Sequence, residues 1–238
     1  SIFVPINLNN TMNAAERNQI IALVKREVVP AIGCTEPIAV ALCVARATET
    51  LGQTPAHISV KLSANVLKNA MGVGIPGTGM VGLPIAIALG SLIGKSAYQL
   101  EVLKDITPEA VEQGKQYIAQ KRIHIALKSD TAEKLYIEVT CQAGEQQATA
   151  IIAGGHTTFV FVQKNDTVLL DSRTPAAQEE SRDAIQLTLR KVYDFATTAP
   201  LDEIRFILDT AKLNKAAAEQ SFTGDYGHGL GRLFGDGK

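Results

Sequence analysis

Between Arg122 and Asp171 five short runs, "RIHIALK", "KLYIEVTC", "QATAII", "TTFVFVQ" and "TVLLD", follow one another across turn-like "SDTAE", "AGEQ", "AGGH" and "KND". Runs this short and this rich in Ile, Val and Thr read as strands. Connections of only a few residues leave no room for a crossover helix, so consecutive strands must pair antiparallel. On either side of the block the apolar spacing is helical. Ile20, Ile21, Val24 and Val28 recur on one face of "NAAERNQIIALVKREVV", and Pro30 ends that helix. Pro84 to Leu92 reads as a short buried helix, and Thr107 with Pro108 opens another that runs to about Gln120. "AQEESRDAIQLTLRKVYDFATT" and "LDEIRFILDTAKLNKAAAEQS" restore helical spacing after the block, with Pro200 between them. The order predicts an α+β fold, with helices flanking a central antiparallel block of about five strands. Residues 1–121 form a mainly helical part, 122–172 the β block, and 173–238 the C-terminal helices and a glycine-rich tail. A further strand is expected around His57 to Leu62, and no regular element in "SANVLKNAMGVGIPGTGMVG".

Composition narrows what such a fold can do. A formal net charge of -1 with no run of five like charges offers no field for nucleic acid or anionic lipid. The uncharged stretch from Met71 to Gly94 is broken by glycine and proline, so it reads as a loop and a short buried helix, not a membrane span. Three cysteines without CxxC spacing, and no basic leader, point to free thiols in the cytoplasm.

Several residues carry chemistry-bearing signals. Cys34, in "PAIGCTEPIAVALCVA", stands where a buried helix begins, with Thr35 as the expected N-cap and Pro37 in the first turn. Backbone N–H groups and the helix macrodipole at that place favour a thiolate, the form that attacks or binds metal. Cys43 and Cys141 fall inside apolar segments and read as core. The loop "GIPGTGMVG" offers backbone amides for a small anion such as an amino-acid carboxylate, and it is neither a P-loop nor a dinucleotide fingerprint. Lys68 and Asn69 precede that loop as candidate substrate-binding residues. His156, in "AGGHTTF", is a candidate acid or base at a turn. His57 and His124 read as structural, and His228 lies in the tail. These residues leave two classes open: a Cys/His nucleophilic enzyme using Cys34 and His156, or a small-molecule binding or lyase site on the glycine loop with Cys34 as metal ligand.

The strings "PAIGCTEPIAVAL", "NVLKNAMGVGIPGTGMVGLPIAIALG", "EVLKD", "GGHT" and "IRFILDTAKLN" resemble, in this order, the L-cysteine desulfidase family, related to the iron–sulfur L-serine dehydratase α chain. The resemblance implies a [4Fe–4S] lyase that eliminates hydrogen sulfide from L-cysteine, leaving pyruvate and ammonia; an L-serine or L-threonine dehydratase with the same cluster is the alternative, and a non-catalytic amino-acid-binding or regulatory module a third reading. It implies Cys34 as a cluster ligand and Gly77, Thr78 and Gly79 as the carboxylate-holding loop. It further implies that the other two cluster cysteines lie in a missing C-terminal half. On that reading this chain is an N-terminal portion, binds no cluster alone, is inactive alone, and belongs to a homo-oligomer.

Overall fold

The computed structural model describes residues 12–173, 185–224 and 229–235. The chain divides into two compact units, one of Ser1–Val28 with Ala184–Lys238 and one of Val29–Asp183.

In the larger unit, α2 (Thr35–Leu51) leads to β1 (His57–Leu62), α3 (Ala64–Ala70), the two-stranded hairpin β2 (Gly74–Ile75) and β3 (Met80–Val81), then α4 (Leu83–Leu92). A 3-10 segment (Ser96–Glu101) and α5 (Pro108–Ala119) follow. The chain then runs through β4 (Ile123–Leu127), β5 (Tyr136–Ala143), β6 (Gln146–Ala153), β7 (Phe159–Lys164) and β8 (Thr167–Asp171). The six long strands make one sheet in the order β4-β1-β5-β6-β7-β8. All five strands of the expected block are present, and β5 to β8 pair consecutively and antiparallel as expected, but β4 does not pair with β5: β1 lies between them, parallel to β4 and antiparallel to β5. The fold is α+β, as the order of elements implied.

Alternation decides which face of the sheet is dry. Ile58, Val60 and Leu62 on β1, Ile137, Val139 and Cys141 on β5, and Ala148, Ala150 and Ile152 on β6 point to one side and are buried. Helix α2 packs on β5, β6 and β7, and α4 packs on α2 and α5. The opposite face carries Ser59, Lys61, Glu138, Thr140 and Gln142, all at least partly exposed. From Ile38 to Ala45 every residue of α2 is fully or almost fully buried, as the unbroken apolar run demanded. The helices come close because Gly90 has no side chain: a Cβ there would lie 2.7 Å from the Ala41 carbonyl oxygen. Thr107 caps α5, its hydroxyl accepting from the Ala110 N–H.

The glycine-rich stretch expected to be irregular is not so throughout, because "ANVLKNA" forms α3 and one pair of two-residue strands forms the hairpin. A two-turn helix is too short to show a 3.6-residue repeat. Ser63 anchors its start to the sheet, donating to the Lys134 carbonyl at 2.8 Å and accepting from the Tyr136 N–H at 3.3 Å.

The smaller unit is helical: α1 (Ala14–Glu27), α6 (Leu189–Thr198), α7 (Leu201–Ile204), a 3-10 turn (Arg205–Ile207), α8 (Leu208–Thr223) and α9 (Leu230–Gly235). Its core is Met12, Ile20 and Phe195, lined by Ile21, Val24, Ile185, Ala199 and Ile204. The expected helix over "AQEESRDAIQLTLRKVYDFATT" begins at Leu189; its part up to Ala184, and His228 in the tail, lie outside the described residues. Among the described residues no helix is long and apolar enough to cross a membrane.

Candidate functional site

Helix α2 starts one residue earlier than the sequence indicates. Cys34, not Thr35, is the N-cap, with extended backbone (φ -69°, ψ 132°) and no side-chain bond to the first-turn amides. Thr35 and Glu36 are therefore inside the first turn, and the Glu36 carboxylate folds back over the cap. Its Oε2 accepts from the Cys34 thiol at 3.1 Å and from the Thr35 hydroxyl at 3.2 Å. Its Oε1 accepts from the Asn69 side-chain amide of α3 at 3.3 Å. Three donors from two helices thus fix one carboxylate.

This geometry corrects the expected state of Cys34. Partial burial and the hydrogen bond to the Glu36 carboxylate push the thiol pKa up, so the group is a protonated donor where the macrodipole argument expected a thiolate. The negative charge sits on Glu36 instead, whose pKa the Cys34 bond and its other donors lower. A carboxylate 3.1 Å away outweighs the partial charge of a helix end, which is about half an elementary charge.

The glycine loop joins the same place. Gly33, immediately before Cys34, has φ +81°, and a Cβ on it would lie 2.7 Å from the Pro76 ring. The turn "GIPGTGM" is thereby pressed against the Cys34 cap, and only glycine fits between them. Gly77 and Gly79 also have positive φ. The Thr78 hydroxyl is spent within the turn, donating to the Ile75 carbonyl at 2.6 Å and accepting from the Met80 N–H at 3.0 Å. What the loop can offer an anion is its glycine amides, not that hydroxyl.

Lys68 is exposed on α3. It lies about 100° around the helix from Asn69, so the two do not face one ligand along one line. His156 sits, partly buried, in the turn between β6 and β7. That turn is at the end of the sheet where Leu62 pairs with Ile137 and leads into α3, which is the end where α2 begins. Among the described hydrogen bonds none joins His156 to Cys34 or Glu36. His57 and His124 are exposed within β1 and β4.

Glu36 is the residue that sequence reasoning missed. An acidic residue in a first helical turn is ordinary complement to the macrodipole, and that role hid it. Its spacing two residues after Cys34 was the available signal.

The three cysteines do not fit a cluster held by three thiolates. Cys43 and Cys141 are fully buried. The Cys43 thiol donates to the Ala150 carbonyl at 3.3 Å, and the Cys141 sulfur lies 3.7 Å from the Thr48 hydroxyl. Burial raises the Cys43 pKa well above the usual value and pushes Cys141 up to about 11. Among the described residues no group of three or more His, Cys, Asp and Glu side chains is placed to hold a metal ion. Cys34 could supply one ligand at most.

Comparison with curated proteins shows several close relatives. One from Bacteroides fragilis is 73% identical over 222 residues, covering 93% of this chain and 52% of that protein. Another from Porphyromonas gingivalis is 48% identical over 228 residues, covering 93% and 53%. A third from Photobacterium profundum is 44% identical over 220 residues, covering 91% and 51%. All three are named UPF0597 protein. The chain spans about half the length of the curated relatives it matches. No family model and no solved structure matches. These findings overturn the resemblance to the L-cysteine desulfidase family and to a fragment of a serine dehydratase α chain: the strings that suggested it are those of a chain similar to UPF0597 proteins, a family of unknown function.

Proposed function

We propose that this chain provides the amino-acid-handling part of a lyase that acts on a small L-amino acid. The observation that carries this reading is the Glu36 carboxylate, held by Cys34, Thr35 and Asn69 beside a glycine-rich turn. An elimination needs a base for the α-proton and a cradle for the substrate carboxylate. Glu36 is the base in this arrangement. Its pKa is low while three donors hold it, so displacement of a donor by substrate would raise its basicity. The amides of Gly77 and Gly79, with Asn69, form the cradle. With L-cysteine, loss of the α-proton and of sulfide leaves aminoacrylate and hydrogen sulfide. Water then converts the aminoacrylate to pyruvate and ammonia. With L-serine or L-threonine the leaving group is water.

Were a [4Fe–4S] cluster part of this reading, Cys34 would have to give up its thiol proton to serve as one ligand, since the chain's other cysteines are buried, and the remaining ligands would come from outside it. An amino-acid-binding module is the second reading, favoured because the carboxylate, amide and turn are complete within this chain.

Calorimetry of the chain with L-cysteine and L-serine, alongside Glu36→Gln and Asn69→Ala, tests the site. Binding that both substitutions weaken about tenfold or more supports it, that factor being the loss of one charge-assisted hydrogen bond. The reaction is tested on the anaerobically purified full-length Bacteroides fragilis relative, by sulfide and pyruvate release. Pyruvate from serine with no sulfide from cysteine selects the dehydratase, and binding without turnover selects the module. Binding that neither substitution changes would sink the site.

A further inference from the structure

The helical unit leaves large apolar side chains open to solvent. Leu208, Leu213 and Phe222 on α8 are 61%, 58% and 50% exposed, and no described residue of that helix is buried. The substantial packing of α8 is with the 3-10 turn just before it. A helix of this length without a packed face is marginal in water, because most helical stability comes from burying such a face.

The positions of those side chains say what kind of cover is missing. Viewed down the axis at about 100° per residue, Leu208 and Phe222 lie within about 40° of each other, whereas Leu213 lies about 140° from Leu208. Apolar groups on two sides describe a helix enclosed by neighbours. A second copy pairing α8 with α8 about a two-fold axis would cover one of these sides and leave the other wet. A larger piece of polypeptide fits both sides. The relatives supply a measure of it, since the matched region is 52% of the Bacteroides fragilis protein and the rest of that protein has no counterpart in this chain.

We propose that α8 is an interior helix of a longer protein like the UPF0597 relatives, packed on both sides by the segment of those relatives that this chain does not match. This does not rest on the lyase reading. The test joins this chain to the unmatched segment of the Bacteroides fragilis relative as one polypeptide, and compares amide hydrogen exchange with the chain alone. In the chain alone the amides of Leu208–Thr223 exchange nearly as fast as in an unfolded peptide; in the joined protein they slow by about a hundredfold or more, while β5 and β6 are protected in both. Introducing Leu208→Asp and Leu213→Asp into the joined protein removes that slowing and leaves β5 and β6 protected. Unchanged exchange of α8 on joining overturns the proposal. So does protection in the chain alone that grows with its concentration, which would make a second copy the occupant. If the joined protein does not fold, the same measurement on the natural relative, over its segment aligned with Leu208–Thr223, decides in the same way. Protection without catalysis would count against the lyase reading only.

Discussion

The Cys34 thiol donates a 3.1 Å hydrogen bond to Oε2 of Glu36, so the charge at the start of α2 is on oxygen and the proton is on sulfur. Both pKa shifts have the sign this requires, up for the thiol and down for the carboxyl. The alkylation rate of Cys34 by iodoacetamide should therefore rise with a midpoint above that of a free cysteine. Glu36→Gln, which removes the negative charge, should bring the midpoint down. Mass spectrometry of peptides across a pH series reads both. A wild-type midpoint below that of free cysteine would restore the thiolate.

The same pair predicts a stability window. Glu36 has a depressed folded pKa, so its contribution is present above the ordinary carboxylate value and is lost as pH falls through the depressed one. Cys34 has a raised folded pKa, so its contribution is present below the ordinary thiol value and is lost as pH rises through the raised one. Wild type and a Cys34→Ala/Glu36→Ala double variant should differ most in urea midpoint between those limits and converge outside them. A difference that does not vary with pH would break the link to these two groups.

Much of this fold is legible locally. Strands β4 to β8 and helices α2, α4 and α5 carry their own periodicity or caps, and the residues of α2 that read as buried are buried. What cannot be read is non-local. The pairing of β1 with β4, some sixty-five residues apart, is set by packing and leaves no mark in either strand. The site shows the same division. Cys34 and the glycine turn are visible as separate motifs, but their contact through Gly33 and Pro76 exists only in the fold. The cap position reads wrongly from sequence because Thr35 is the better intrinsic capping residue, whereas the chain places Cys34 there.

Gly33 is the narrowest point of that contact. A Cβ at this position meets both a left-handed backbone and the Pro76 ring at 2.7 Å. Gly33→Ala should cost about 2–3 kcal/mol, of which the backbone conformation accounts for about 1. Gly79 also has positive φ but open space around it, so Gly79→Ala should show the conformational part alone. Urea denaturation of the two variants compares them, and equal costs would mean that the contact with Pro76 adds nothing.

At Gly90 two effects oppose each other. Alanine in a helix interior is favoured over glycine by about 1 kcal/mol. Against that, the new Cβ would lie 2.7 Å from the Ala41 carbonyl oxygen and 3.1 Å from its Cα, both backbone atoms of α2. Overpacking against backbone costs about 1–3 kcal/mol, so Gly90→Ala should be destabilising on balance. A variant with a higher urea midpoint than wild type would show that α2 and α4 can move apart freely.

Arg17 ties α1 to α7 across 186 positions of sequence, through Nε to Oε2 of Glu203 at 3.0 Å and Nη2 to Oε1 at 3.1 Å, while its Nη1 donates to the Met12 carbonyl at 2.9 Å. Arg17→Lys keeps the charge and loses the planar fork, since an ammonium is a point donor. Among the described residues the helical unit buries only Met12, Ile20 and Phe195, with Ile21 and Val24 of α1 and Ile204 of α7 packed against them, so the fork adds to a small core. Its α1 amides should exchange faster in the lysine variant at pH 7, with the β5 and β6 amides unchanged. The Arg17 bond lowers the Glu203 pKa, so the fork stabilises the unit above the ordinary carboxylate value and is lost as pH falls through the depressed one. The helical circular dichroism of wild type and variant should accordingly converge on acidification below that point. If the lysine variant protects α1 as well as wild type does at neutral pH, the fork contributes nothing beyond its charge.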